Sequence, residues 1–584
     1  MSVLSYIRTK FSYYVAKYED IVIVMVAVAI GIAAGLGNIV FRTLIHFLQN
    51  TLYGIENEVM LYNLQETAKW KLILIPALGG LAVGIITSVF KSNVHSVADV
   101  IKAISLHRKL SPVTAVLKTI TSAITLGTGG SAGREGPIIM IGASLGSAIG
   151  QFFKFSHVRM SSATACGASG GIAATFNAPM GGAMFAAEVL LGKYGIRTFS
   201  PLIISAVTAT VVSRAYFGDE ITIKAPPYIL QSPIELLFYA LMGFFIAIIS
   251  VIFIRFFFRV SDAFTNINIP KFLKPALGGL LMGIIGVFCV NIMGIGYGTI
   301  IEILNNNIPW YILIVFLMLK MIATSLTLGS GGSGGQLVPS LFMGAAAGGF
   351  FGGLMHQIFP HIATNPETYA LVGMGAMLAA VIRAPITSIL ILFEITQSYH
   401  IVLPVMITCI IANLIASRME KDSIFTFSLT RAGFNIDHGL EKSILESIKV
   451  KDIMLTDIIV FHNNTPLKDI KRSIEKKPHA YFPVVDYDNY LTGVISLNDL
   501  KEEIFSGKNL ETTLAQDFGA RKNIITVSPD ETLEQAMRDF GIKEVGDLPV
   551  VQSDEKGMKL LGLLRRSDII IAYNKKIVDF EPDK

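Results

Sequence analysis

The sequence has few charged side chains, few cysteines and no concentrated basic stretch. Only 16% of its 584 residues are charged and 52% are hydrophobic, a composition that argues against a soluble enzyme. The three cysteines lie in apolar runs without paired spacing or nearby histidines, which excludes a disulfide framework and a zinc site. The net charge of +5 is dispersed, so we expect no nucleic-acid partner. The ten histidines are also scattered, so we expect no resident metal, and we expect no cofactor in the membrane part.

The charges that are present crowd towards the C-terminus. Of the 91 charged residues, 46 lie in the last 144 positions, whereas the earlier positions are mainly apolar runs broken by glycine and proline. This pattern predicts an α-helical polytopic membrane domain over residues 21–437, a linker over 438–448 and a soluble C-terminal region. Residues 1–20 are amphipathic and basic, which predicts a cytoplasmic N-terminal helix in a protein of the cell (plasma or inner) membrane with both termini cytoplasmic.

The apolar part contains an internal duplication. Three segments return in the same order at nearly constant spacing, namely 75–86 as 274–285, 117–137 as 319–339, and 171–189 as 377–395. This predicts two repeats, over about residues 21–215 and 230–433. Duplicated membrane halves are typical of transporters, in which the substrate binds at the interface between the repeats.

Each repeat carries a glycine-rich turn that opens a helix, at residues 127–137 and 329–339. Unpaired backbone amides and the positive end of the helix dipole attract anions at such a helix start, and glycine lets the backbone approach the ion closely. Two such turns that meet inside the membrane predict an anion site. Close packing of small residues between helices is the alternative interpretation.

Aligning the repeats separates shared residues from unmatched ones. Glu188 matches Glu394, which favours a shared structural role such as tying a helix end. Glu135, in contrast, aligns with Leu337. A carboxylate at an anion site repels the ion unless it moves or becomes protonated, so Glu135 is the functional candidate.

Three motifs carry a family resemblance: GREGP at 133–137, FNAP at 176–179 and GGQLVP at 334–339. They resemble the CLC family of chloride channels and proton/chloride exchangers, and the likeness covers nearly the whole chain. The resemblance implies two inverted helical repeats, a homodimer in the lipid bilayer, chloride or a similar small anion as substrate, and no enzymatic activity. It also implies a gating glutamate at Glu135. The implied anion ligands are His95, Ser96, Gly133, Arg134, Gly136, Gln336, Leu337, Val338 and Phe425.

Three departures from the family pattern bear on mechanism, and the third decides the favoured function. His95 and Ser96 replace the family's serine motif, and Phe425 replaces a tyrosine, so the central site has lost at least one hydroxyl donor. Val189 stands where exchangers carry their inner proton-transfer glutamate. A passive anion channel gated by Glu135 is therefore the favoured function. A proton-coupled chloride exchanger is the alternative, because water chains can replace a side-chain relay.

The soluble region contains two copies of a small α/β unit, over residues 449–508 and 509–584. The copies resemble a tandem pair of CBS domains, a module found at the C-terminus of many CLC proteins. In that module a Ser/Thr and an Asp near the closing helix can hold the ribose of an adenine nucleotide, although many such pairs are structural or dimerising. The corresponding residues are Ser496 and Asp499 in the first copy and Arg565 and Asp568 in the second.

Two other functions fit the sequence less well. A membrane hydrolase would need a nucleophile with an acid or base at matching depth, and apart from Glu135 no such set is evident. A CBS-bearing cation transporter is a distant alternative, because it would need several acidic residues within the membrane to ligate a hard cation.

Overall fold

The structure, a computed structural model, divides into two compact units, Met1–Ala432 and Gly433–Lys584. It describes residues 19–54, 61–90, 96–106, 108–192, 195–219, 233–363, 365–432, 445, 448–474, 481–497, 500, 511–519, 524–543 and 546–579. Most of the predicted N-terminal helix over 1–20 and most of the predicted linker over 438–448 lie outside these residues.

The first unit is built from helices. In chain order they are α1 (Glu19–Tyr53), α2 (Leu61–Glu66), α3 (Lys69–Val89), α4 (Val97–Ser105), α5 (Pro112–Gly127), α6 (Glu135–Phe152), α7 (His157–Phe176), α8 (Pro179–Phe185), α9 (Ile196–Phe217), α10 (Glu235–Asn266), α11 (Lys274–Phe288), α12 (Tyr297–Leu304), α13 (Leu313–Gly329), α14 (Leu337–Ile358), α15 (Pro366–Ile382), α16 (Pro385–Thr396), α17 (Val402–Met419) and α18 (Phe427–Arg431). A π-helical turn, Ala186–Leu191, continues α8. Among the described residues, 8 helices are long and apolar enough to cross a membrane, and the predicted polytopic helical architecture is confirmed.

The two repeats pack on each other through matching surfaces. Helices α3 and α11 carry the repeated PALGG sequence and cross where these glycines lie. A Cβ atom on Gly80 would overlap the Pro275 carbonyl, and one on Gly279 would overlap the Pro76 carbonyl. Only glycine permits this approach, so the duplicated motif is explained by a contact between the duplicates.

Both repeats interrupt a helix at the same point. Helix α5 gives way to α6, and α13 to α14, through the two glycine-rich turns. Gly129 in the first turn and Gly331 in the second have φ angles of 87° and 105°, a left-handed backbone that strains residues with a side chain. Each repeat therefore presents a new helix start within the fold.

Within its described residues, the second unit contains two small sheets. The first combines β1 (Phe461–His462), β2 (Tyr481–Val485) and β3 (Leu491–Ser496), and the second combines β4 (Asp547–Asp554) and β5 (Gly557–Arg565). The helices are α19 (Leu467–Ile474), α20 (Ala515–Gly519), α21 (Leu533–Lys543) and α22 (Arg566–Asp579). β2 pairs parallel to β1 and antiparallel to β3. β4 pairs antiparallel to β5 and forms a parallel bridge through Val550 to Val527, so the second copy repeats the pairing of the first.

Candidate anion site

The two glycine-rich turns touch one another. The Gly133 amide donates to the Gly335 carbonyl and the Gly335 amide donates to the Gly133 carbonyl, each at 2.7 Å. A Cβ atom on Gly136 would lie 2.7 Å from the Gly335 Cα, so no side chain fits between the turns. The predicted meeting of the turns is confirmed, and the starts of α6 and α14 are neighbours.

Hydroxyl groups brace both turns in a reciprocal pattern. The Ser131 amide donates to Thr327 Oγ1 at 3.2 Å, and the equivalent Ser333 amide donates to Thr125 Oγ1 at 3.1 Å. Each threonine lies on the helix of the opposite repeat, so each repeat holds the turn of the other. The Ser333 hydroxyl also bonds to the Ser122 hydroxyl at 2.8 Å. These groups are buried, and a satisfied buried network of this kind keeps its geometry.

Glu135 begins α6 and is fully buried, with 0% of its surface exposed. Its Oε1 lies 3.9 Å from Arg134 Nε, and the carboxylate is close enough to interact with the Val338 amide in the first turn of α14. Among the described residues, neither carboxylate oxygen has a hydrogen bond of good geometry. The carboxylate thus stands at two adjoining helix starts, whose backbone dipoles favour a negative charge.

Arg134 also belongs to one repeat alone, because Gln336 occupies the equivalent position. The arginine is 6% exposed, and its Nη2 donates to the Thr175 carbonyl at 3.4 Å. Its guanidinium carbon lies 5.3 Å from the centre of the Tyr297 ring, a cation–π contact. Gln336 is half-buried, while Leu337 and Val338 are fully buried at the start of α14. The first repeat therefore supplies both formal charges of the site.

Arg134 forms part of the wall of a cavity of about 260 Å³, which we call the vestibule. Its lining also includes Arg42 on α1 and Arg214 on α9. Because Arg134 neighbours Glu135, the vestibule approaches the buried carboxylate from this side. The sequence analysis did not identify Arg42 and Arg214, because neither lies in a motif. They are far apart along the chain and come together only in the folded structure.

Two half-buried glutamates, Glu188 and Glu394, each bind a helix start of the opposite repeat. Glu188 Oε2 accepts from the Thr387 amide at 2.8 Å and from its hydroxyl at 2.6 Å, at the start of α16. Glu394 accepts from the Met180 amide at 2.9 Å and the Gly181 amide at 2.7 Å, at the start of α8. The predicted contacts, in which each glutamate ties a helix start by hydrogen bonds, are confirmed.

The predicted central-site residues lie in different surroundings. Phe425 is 2% exposed, and its ring meets that of Phe185 edge-on with 6.5 Å between the centres. Ser96 is exposed just before α4, and its amide donates to Asp99 Oδ2 at 2.7 Å. His95 lies outside the described residues. Their roles as anion ligands stay predictions.

Val189 lies in the π-helical turn and is half-buried. Short π-helical segments are frequent at functional sites. Glu188 is the acidic residue of this turn, and its carboxylate already binds the start of α16. The carboxylate of this turn is therefore engaged at the start of α16, and the role of position 189 in a proton path stays a prediction.

In the soluble unit, the two predicted nucleotide positions differ. Ser496 ends β3 and is 8% exposed, and Asp499 lies outside the described residues. Arg565 ends β5 and donates two hydrogen bonds of 2.8 Å to Asp568 in the first turn of α22. These bonds raise the pKa of the Arg565 guanidinium above its ordinary value, so the pair stays charged. The Asp568 carboxylate is thus already hydrogen-bonded to Arg565, whereas a bound ribose would need this carboxylate to accept hydrogen bonds from its hydroxyl groups.

Comparison with protein families agrees with this geometry. The family described as "Voltage gated chloride channel" matches residues 79–417, and the CBS domain family matches residues 450–506 and 515–575. The chain shares the fold of a crystal structure described as a slow cyanobacterial Cl⁻/H⁺ antiporter, with a TM-score of 0.64 and 24% identity, covering 70% of this chain and 97% of that one. It also shares the fold of a eukaryotic CLC transporter, with a TM-score of 0.61 and 19% identity, over 97% of this chain and 99% of that one.

Curated relatives give the same result. The chain is 34% identical over 422 residues to a ClcB-like chloride channel protein of Ralstonia nicotianae, covering 70% of this chain and 97% of that protein. It is 30% identical to chloride channel protein CLC-f of Arabidopsis thaliana, covering 94% of this chain and 80% of that protein. The chain belongs to the voltage-gated chloride channel (CLC) family of chloride transport proteins, and it carries a C-terminal pair of CBS domains.

Proposed function

We propose that the protein exchanges chloride for protons across a membrane, with Glu135 as the group that carries the proton at the anion site. The observation that carries this proposal is the Glu135 carboxylate, buried at the two adjoining helix starts. A charged carboxylate and a chloride ion cannot share this space without strong repulsion. Protonation removes the charge of Glu135, so that binding of chloride and binding of a proton become linked.

The exchange then follows because chloride and the ionised Glu135 carboxylate compete for the same backbone amides at the helix starts. Chloride arriving from the vestibule is favoured by the helix dipoles and opposed by the ionised carboxylate. When Glu135 takes up a proton, its side chain no longer competes for the amides, and chloride enters. When chloride leaves, the amides again favour the ionised carboxylate and the proton is released. Two solved structures that share the fold are described as a Cl⁻/H⁺ antiporter and a fluoride/proton antiporter, which supports the same mechanism.

A passive chloride channel is the second candidate, and Val189 is the observation that favours it. An exchanger must also deliver the proton to the far side of the membrane, and valine cannot carry it. In the exchanger mechanism a chain of water molecules performs this step. The two candidates therefore differ in whether chloride can pass without a proton.

Reconstitution in sealed liposomes separates the two candidates. A chloride gradient is imposed, and chloride efflux and internal pH are recorded together. We expect chloride to drive protons uphill in a fixed ratio, and Glu135→Gln to abolish the proton movement while chloride still passes. Sustained chloride flux in the unchanged protein without proton movement would establish the passive channel instead.

We further propose that the protein is a homodimer. We also propose that its N-terminus lies in the cytoplasm, which the basic N-terminal residues favour. The vestibule lies at the C-terminal half of α1, where Arg42 is found, so it would then open to the opposite side of the membrane. Mass measurement in detergent tests the dimer. Labelling of a cysteine introduced at residue 2 by an impermeant reagent on intact cells tests the orientation, because a cytoplasmic residue stays unlabelled.

For the soluble unit we propose that an adenine nucleotide binds the first copy rather than the second. Ser496 lies at the end of β3 in the first copy, whereas in the second copy Arg565 stands at the equivalent position and its side chain engages Asp568. Calorimetry with ATP and with AMP tests this assignment. We expect Ser496→Ala to weaken binding and Arg565→Gln to leave it unchanged, and the reverse result would move the site to the second copy.

A further inference from the structure

The vestibule brings together three guanidinium groups from distant parts of the chain. Arg42 comes from α1, Arg134 precedes α6 and Arg214 comes from the last turn of α9. Such an enclosed group of like charges raises the local concentration of anions well beyond what helix dipoles alone achieve. The vestibule lies on the side of Glu135 where Arg134 is found, and it is separate from the contact between the two glycine-rich turns.

Each guanidinium is held in place by a specific neighbour. The Arg42 guanidinium carbon lies 4.0 Å from the centre of the Phe217 ring, and Arg134 rests on the Tyr297 ring. Arg214 Nε donates to Asn177 Oδ1 at 2.6 Å. Planar guanidinium groups with restricted motion lose little entropy when they bind an anion, and they favour flat or branched oxyanions over spherical ions.

The rim of the vestibule already binds a carboxylate. Asp219, at an exposed position after α9, accepts from Arg214 Nη1 at 3.2 Å and from Asn177 Nδ2 at 3.2 Å. Its presence shows which chemistry this end of the cavity recognises. It also reduces the positive charge there, so a ligand that enters has to compete with a carboxylate of the protein itself.

We infer that the vestibule is a separate binding site for a small water-soluble polyatomic oxyanion, of the carboxylate or phosphate class, which obstructs the path to Glu135 when bound. A cavity of about 260 Å³ leaves a monatomic ion mostly surrounded by water, whereas an oxyanion can reach more than one guanidinium group. The inference goes beyond the proposed exchange and does not depend on its stoichiometry. It assigns Arg42 a role in binding an inhibitory anion.

Calorimetry on the purified full-length protein tests binding without requiring transport. Succinate and inorganic phosphate serve as the probes, at constant ionic strength and constant chloride. We expect binding in the unchanged protein and in Glu135→Gln, and a roughly tenfold weaker affinity in Arg42→Gln, as the loss of one charge-assisted hydrogen bond implies. Asp219→Asn should bind more tightly, because the competing carboxylate is gone. Arg538→Gln, on exposed α21 of the soluble unit, is the matched control and should bind as the unchanged protein does.

A second variant distinguishes binding by the paired N–H donors of a guanidinium group from simple attraction between charges. Arg42→Lys keeps the charge and loses the planar pair of donors, so succinate should bind less tightly than to the unchanged protein. In liposomes, succinate added on the vestibule side should slow chloride efflux, and Arg42→Gln should need about ten times more succinate for the same effect. Absence of heat with both probes, equal affinity in Arg42→Gln and Arg538→Gln, or full affinity in Arg42→Lys would overturn the inference. A failure of proton coupling in the same liposomes would leave these binding results unaffected.

Discussion

The two repeats of the membrane unit have the same backbone pattern at their glycine-rich turns and differ in two residues at the adjoining helix starts. Both break a helix at a glycine with positive φ and both begin a new helix beside the other. Only the first repeat places Arg134 and Glu135 there, while the second has Gln336 and Leu337. We therefore expect the matched residues to build the anion site and the unmatched residues to control it, as the proposed exchange requires.

The strongest test of the shared backbone is Gly335→Ala. The new Cβ atom would lie 2.5 Å from the Gly136 nitrogen, so the two turns must separate. We expect a loss of stability of roughly 3 kcal/mol and no measurable chloride flux. Thermal unfolding in detergent and liposome efflux measure the two effects. Gly195→Ala is the control, because its Cβ would meet nothing closer than 3.6 Å, and equal stability of the two variants would contradict the close approach.

Exchanging the unmatched residues tests which repeat operates the site. Glu135→Gln removes the carboxylate of the first repeat and leaves Arg134 in place. We expect chloride flux to lose most of its rise with falling pH on the vestibule side, because protonation of residue 135 no longer controls entry. Flux is measured in liposomes at several values between about pH 5 and 8, so that the slope of flux against pH can be compared between the two proteins. A pH profile identical to that of the unchanged protein would show that another group senses the protons.

Leu337→Glu is the converse change, because it gives the second repeat a buried carboxylate. Leu337 is fully buried, so an ionised side chain there should repel chloride and slow flux at least tenfold above pH 7. Lowering the pH should restore part of the flux. Leu337→Gln is the control of similar size without charge, and equal slowing in both variants would point to a packing effect.

Glu188→Gln and Glu394→Gln test the prediction that matched residues are structural. Each substitution replaces a charged acceptor of helix-start amides by a neutral one, so each should lower stability by about 1–2 kcal/mol. The two effects should agree closely, as measured by thermal unfolding. If one variant stopped transport at unchanged stability, that glutamate would have to be assigned a role in transport.

Phe425→Tyr should have the smallest effect. Adding a hydroxyl donor to the central site contributes on the order of 1.4 kcal/mol, a roughly tenfold gain in chloride affinity. Calorimetric titration with chloride measures the gain, and Phe185→Tyr on the neighbouring ring is the control. Unchanged affinity would mean that the Phe425 ring does not face a bound anion.

The repeat arrangement was predictable because duplication leaves matching letters in the sequence. The contact between Gly133 and Gly335 and the role of the paired glutamates followed from those matches together with the physics of helix starts. The family resemblance supplied the inverted topology, which spacing alone does not give.

The vestibule could not be predicted in the same way. Arg42 and Arg214 lie on α1 and α9, and no pattern in a single sequence relates their positions. The bond between Arg565 and Asp568 was also missed, although their i, i+3 spacing at the start of α22 was a usable signal. A site formed by repeated local motifs can be predicted from one sequence, whereas a site formed by residues that tertiary packing brings together cannot.

The reciprocal bonds between repeats restrict how the protein can move. Glycine amides, serine amides and glutamates of each repeat all bind the other, so rocking one half against the other would break these bonds together. At about 1 kcal/mol for each hydrogen bond, such a motion costs on the order of 10 kcal/mol before any chloride moves. Turnover in this protein is therefore expected to proceed through rotation of individual side chains within a stationary frame, with Glu135 as the principal moving part.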